Sequence, residues 1–114
     1  MSIKRYKLFA TCYDKRGRIL SYGENSYSKT HPLMAELSKE MHGHPEKMYL
    51  HAEVQALLRC GDRKPYKLVV QRFDSEGKPA MAKPCPICQK ALQLYGVKEV
   101  WYTSDNQQVV KERF

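Results

Sequence analysis

Residues 50–58, LHAEVQALL, place an imidazole and a carboxylate at the head of an apolar helical pattern. Val54, Leu57 and Leu58 recur at the spacing of one helix face, and Gly61 supplies a stop. His51 and Glu53 stand two apart, so they point to different sectors of the helical wheel. At a first turn, however, both side chains can reach past the helix end. Both residue types hold metals and carry protons, so a helix that opens on the two of them needs partners that complete a site.

The partners come from a second helix start. In residues 83–96, KPCPICQKALQLYG, Ile87, Ala91, Leu94 and Tyr95 have helical spacing and Gly96 ends the run. Cys85 and Cys88 open it, with Pro84 and Pro86 on either side of Cys85. Three residues apart, their sulfurs share one helix face. The partial positive charge of a helix N-terminus favours thiolate over thiol. With His51 they make three ligands, which leaves one position of a tetrahedral zinc for water. Zinc acidifies such water to a nucleophile near neutral pH, and Glu53 is then placed to accept its proton. Cys12 and Cys60 sit in ordinary strand and helix contexts and read as small packing residues. The alternative is a closed structural zinc site with Cys12, Cys60, His42 or His44 as fourth ligand, which leaves Glu53 unexplained.

Working outward, YKLFATCYD and RILSYG read as two strands of a hairpin around the turn DKRG. PLMAELSKEM has Leu33, Met34, Leu37 and Met41 at helical spacing, and HGHPEK breaks it. The tract HGHP reads as a polar turn, with a second metal site as the alternative. YKLVVQRFD is a third strand, SEGKPAMAKP an irregular loop, and VKEVWYTS a fourth strand. QVVKERF reads as a short fifth strand that closes an antiparallel hairpin, since too few residues remain for a crossover. The order predicts one α/β domain over residues 1–114, an α/β/α-type sandwich with a mixed five-stranded sheet covered by about three helices. The tyrosines fall mostly on strands and helices and read as packing residues.

The chain has 114 residues, 42% of them hydrophobic, enough for one modest core. No apolar stretch approaches the ~20 residues of a membrane span. MSIKRYKLFATCYD lacks the apolar core and cleavage site of a signal peptide, so a cytoplasmic protein without membrane partners is expected. Twenty basic residues against 12 acidic give a net charge of +8, scattered from Lys4 to Arg113. That balance fits anionic ligands such as nucleotides or nucleic acid, and equally a soluble basic surface.

His51-Ala52-Glu53 with Pro84-Cys85-Pro86-Ile87-Cys88 resembles the H-x-E and P-C-x-x-C signature of zinc deaminases of nucleosides and nucleobases. The chain is similar to the cytidine deaminase-like superfamily over nearly its whole length, because the element order matches as well. The resemblance implies a catalytic zinc held by His51, Cys85 and Cys88, with Glu53 as proton shuttle. Gly23-Glu24-Asn25 resembles the family's G-x-N, which implies that Asn25 meets the substrate sugar, and the backbone N–H of Ala52 would hold the base carbonyl. Tyr27 stands where cytidine deaminases place a second, glutamate grip on the ribose. SYSKTHP also departs from the deoxycytidylate enzymes. The implied reaction is hydrolytic deamination of a cytosine-type base to a uracil-type base with release of ammonia. The expected substrate is a free pyrimidine nucleoside or nucleotide, such as deoxycytidine, cytidine or a monophosphate. The alternatives are cytosine or adenine within single-stranded DNA or RNA, a purine substrate, and a non-catalytic zinc-binding module. A chain this short for the family is expected to complete its site as a homo-oligomer. Rims are expected at residues 26–32 and 75–83, with Lys29, His31 and Lys83 as candidate phosphate or base contacts.

Overall fold

The computed structural model describes residues 7–25, 51–104 and 108–113. The first expected helix, the HGHP tract, Tyr27, Lys29 and His31 lie outside the described residues. The described elements are β1 (Lys7–Tyr13), β2 (Ile19–Glu24), α1 (Ala52–Arg59), β3 (Lys67–Phe73), β4 (Pro79–Ala80), α2 (Pro86–Leu94), β5 (Glu99–Thr103) and β6 (Val109–Arg113). One mixed sheet runs β2-β1-β3-β5-β6, with β4 paired to β3.

The expected five strands become six among the described residues. The added pair, Pro79 and Ala80, lies within the tract expected as a loop and aligns with Phe73 and Arg72. The turn responsible repeats the chemistry of the β1–β2 turn. Asp14 Oδ1 accepts the N–H groups of Arg16 and Arg18, and Asp74 Oδ1 accepts those of Glu76 and Lys78. Each turn closes on a glycine in the left-handed region, Gly17 at φ +83° and Gly77 at φ +82°, a conformation a side chain would penalise. Two helices are present among the described residues.

β3 and β5 are parallel and are joined through the segment that contains α2, the crossover that a parallel pair requires. β6 returns antiparallel on β5 from Val109 to Arg113, as expected for the chain's end. Alternate residues of the strands, Ala10, Cys12, Leu68, Val70, Val100 and Tyr102, are buried with Val54, Ala56 and Leu57 of α1 and Ile87, Ala91 and Leu92 of α2. Cys12 and Cys60 are buried in this core, in line with a packing role. Burial pushes the Cys12 thiol up to about 12, so it stays neutral. Cys60 Sγ lies 3.1 Å from Ser21 Oγ.

α1 packs across β1 and β2. The crossing is tight because β2 offers Gly23: a Cβ there would stand 2.3 Å from the Ala52 carbonyl oxygen. Ser21 Oγ donates to Ala56 O at 2.6 Å, and Glu24 N donates to Gln55 Oε1 at 2.8 Å. These contacts fix the N-terminal turn of α1, which carries His51 and Glu53. None of the described helices is long and apolar enough to cross a membrane.

Candidate metal centre

His51 and Cys85 occupy equivalent places. Each is the N-cap of its helix, in extended backbone conformation, and neither side chain makes a capping hydrogen bond. A polar N-cap side chain ordinarily turns back onto the first-turn N–H groups. Here both turn toward each other instead. His51 Nδ1 lies 3.7 Å from Cys85 Sγ and 3.2 Å from Cys88 Sγ. The three ligand atoms all fall within 4.8 Å of one another.

The loop before α2 is held in place from three sides. Ala82 N donates to Thr103 O at 2.8 Å, and Thr103 Oγ1 donates to Ala80 O at 2.7 Å. Gln89 Nε2 donates to Pro84 O at 2.8 Å. Thr103 and Gln89 are positioning residues that the motif spacing did not single out, and Gly23 entered there only as the first residue of G-E-N.

The electrostatics follow from the same geometry. The Cys88 thiol donates to Cys85, and this, opposed by burial and helped by His51, brings the Cys85 thiol down to about 4. Cys88 is raised, through the same hydrogen bond and its burial. His51 is raised by its hydrogen bond with Cys85, against the pull of burial. Burial pushes the Glu53 carboxyl up, with its own backbone N–H pulling the other way. Glu53 is only 3% exposed, and its Oε1 has no hydrogen-bond partner among the described residues. An unpaired buried carboxylate oxygen is costly, so it marks a place where a polar group is meant to enter.

This donor set fits zinc. One imidazole nitrogen and two sulfurs are the ligands of a borderline-soft ion, and tetrahedral bond lengths place nitrogen and sulfur donors about 3.6 Å apart. The 3.2 and 3.7 Å separations bracket that value. Cys60 caps the far end of α1, about 12 Å of helix rise away, so it cannot complete a closed site. Asn25 lies just past β2; its Oδ1 accepts the Leu8 N–H at 2.9 Å. Ala52 is the first residue of α1, where backbone donors have no partner within the helix. Lys83 pairs with Glu112 at 3.6 Å.

Residues 3–104 match the family model of the cytidine and deoxycytidylate deaminase zinc-binding region. The chain belongs to that zinc-binding deaminase family. Among solved structures it is similar to a crystal structure of a glutamate-to-glutamine mutant of cytidine deaminase from Mycobacterium tuberculosis. The two share 20% sequence identity with a TM-score of 0.53, over 96% of this chain and 73% of that one. At that identity the likeness establishes the fold. No curated protein matches the chain in sequence.

Proposed function

We propose that this protein is a zinc-dependent hydrolytic deaminase that converts a cytosine-type base to a uracil-type base and releases ammonia. The proposed substrate is a free pyrimidine nucleoside or nucleotide. One observation carries the proposal: the buried, unpartnered Glu53 Oε1 beside a nitrogen and two sulfurs that meet across two helix starts. A purely structural metal site would have no use for that carboxylate.

In this reading His51, Cys85 and Cys88 hold the zinc. When bound, the ion supplies Lewis acidity that makes water nucleophilic near neutral pH. Glu53 Oε1 would accept one proton from the attacking water and pass it to the ring nitrogen next to the amine-bearing carbon, then accept the second from the hydroxyl of the adduct and pass it to the leaving amine, so that the carbonyl forms as ammonia departs. The raised carboxyl of Glu53 suits both halves of this exchange. The Ala52 N–H, at the positive end of α1, receives the base carbonyl. The Leu8 N–H fixes the Asn25 side chain through its oxygen, so the donor end of the amide is the end proposed to meet the sugar.

The chain is further proposed to act as one domain in the cytoplasm. Its four free cysteines fit a reducing compartment. A homo-oligomer is proposed as well, supported by the sheet edges β2 and β6 and by Leu94 and Val109, 60% and 63% exposed.

The test is ammonia release from cytidine, deoxycytidine and their monophosphates by the zinc-loaded protein and by Glu53→Gln. The variant should keep its zinc and lose about 10²–10⁴-fold in turnover, the usual worth of a general acid–base group. Undiminished turnover by Glu53→Gln, or no ammonia from any cytosine substrate, would refute the proposal.

A further inference from the structure

At the end of the sheet opposite the metal centre, the β1–β2 turn and the segment after α1 flank an open cavity of about 630 Å³. Lys15, Arg16, Arg18, Arg63 and Lys64 line it against a single carboxylate, Asp14. That carboxylate is engaged: it accepts two turn N–H groups and pairs with Arg18 at 2.9 Å. Arg63 is also held, donating to Cys60 O and Arg59 O, both at 3.0 Å. These two arginines have structural work. Lys15, Arg16 and Lys64 are exposed cations that add like charge to the same concavity, which costs folding free energy unless an anion answers it.

The chain leads from this cavity directly to aromatic rings. Lys64 is followed by Pro65, Tyr66 and Lys67, and Tyr66 N donates to Tyr13 O at 2.8 Å. Lys67 Nζ stands 4.6 Å from the ring centroids of both Tyr13 and Trp101, and Lys111 Nζ stands 5.1 Å from that of Trp101. Tyr13 and Trp101 are half-buried, and a base stacking on either ring takes a face beside or in place of these lysines.

The geometry points to a binding site for single-stranded nucleic acid, with backbone phosphates in the basic cavity and bases against Tyr13 and Trp101. A cationic groove beside aromatic rings is the combination that holds single strands without reading sequence. The site is separate from the metal centre. Lys7 and Phe73, paired at the metal-centre end, stand six residues along β1 and β3 from Tyr13 and Lys67, about 20 Å of strand. It therefore does not depend on whether the deaminated base is free or in a strand.

The experiment uses the zinc-loaded full chain and a fluorescein-labelled oligothymidylate of about 20 nucleotides, long enough to cover one such groove. Thymine carries no exocyclic amine, so binding is read without turnover. Anisotropy should show binding that weakens with salt, accompanied by quenching of Trp101, the one tryptophan of the chain. Lys15→Ala/Arg16→Ala/Lys64→Ala should bind at least about tenfold more weakly, with a salt slope shallower by about 2, near 0.7 for each phosphate contact removed. The same triple variant should still release ammonia from deoxycytidine at the parent rate. Lys78→Ala/Lys90→Ala, which removes two charges elsewhere, should bind nearly as the parent does. Glu53→Gln should bind the oligonucleotide as the parent does, so failure of the deaminase reading and failure of this one are distinguishable. Three results would overturn the inference: no binding by the parent, equal binding by the triple variant, or binding with unchanged Trp101 emission. Displacement of the strand by inorganic phosphate at constant ionic strength would also overturn it, by showing a small-anion site.

Discussion

Gly23→Ala tests whether the metal centre depends on the close crossing of β2 and α1. Gly23 pairs with Ala10 of β1, and both lie beneath α1. A Cβ at position 23 would stand 2.3 Å from Ala52 O, 2.7 Å from Ala56 N and 3.2 Å from Gln55 Cβ. The first two neighbours are helix backbone, so they cannot rotate away as a side-chain tip would. Gly23 is not among the glycines with positive φ, so alanine meets no backbone penalty there. It even gains about 0.4–1 kcal/mol by restricting the unfolded chain. Overpacking of about 1–3 kcal/mol outweighs that gain, leaving a net loss of about 1–2 kcal/mol. At about 4–8 °C per kcal/mol for a domain near 100 residues, the melting temperature should fall by roughly 5–15 °C. The relief available is a shift of the N-terminal turn of α1, which carries His51 and Glu53 away from the cysteines. Zinc content should therefore fall below one per chain, and ammonia release with it. Scanning calorimetry and elemental analysis of the same sample check both parts. An unchanged melting temperature with full zinc occupancy would show that the crossing has room to spare.

Other expectations follow from the same structure. Leu57 is fully buried under the sheet, so Leu57→Ala should cost about 2–5 kcal/mol in urea unfolding. Chelation of zinc should lower the melting temperature and abolish ammonia release, and readdition should restore both, because an ion that binds only the folded chain stabilises it. Asp14 is held below its ordinary 3.8, first by the backbone N–H of Arg18. A depressed carboxyl stabilises the fold above its unfolded value and loses that contribution as the pH falls through its folded one. Asp14→Asn should therefore melt below the parent at pH 7, and the gap should narrow as the pH drops below about 4. A gap that persists in acid would assign the effect to turn geometry and not to charge.

Local chemistry made much of the site legible in the sequence, while its supports are tertiary. His51, Glu53, Cys85 and Cys88 announce themselves because each opens a patterned helix, and helix starts are written in a few adjacent residues. The Asp14 turn is legible likewise, since the carboxylate and the glycine three residues on belong to one local motif, whereas the same motif at Asp74 fell at the head of a tract read as an irregular loop. β4 was missed because two residues carry no periodicity; what makes Pro79 and Ala80 a strand is the edge of β3 beside them. Gly23 was visible as part of G-E-N, but its value lies in a helix 29 to 33 residues further along the chain. The basic cavity is the limiting case. Along the chain, Lys15, Arg16 and Arg18 are separated from Arg63 and Lys64 by a strand, a long intervening segment and α1. Read linearly, they belong to a scatter of positive charge with no block. The fold returns α1 across the hairpin so that its C-terminal end, already attractive to cations, faces the β1–β2 turn. A scattered charge distribution is thus no evidence for an inert basic surface, because clustering is decided by which loops share an end of the sheet.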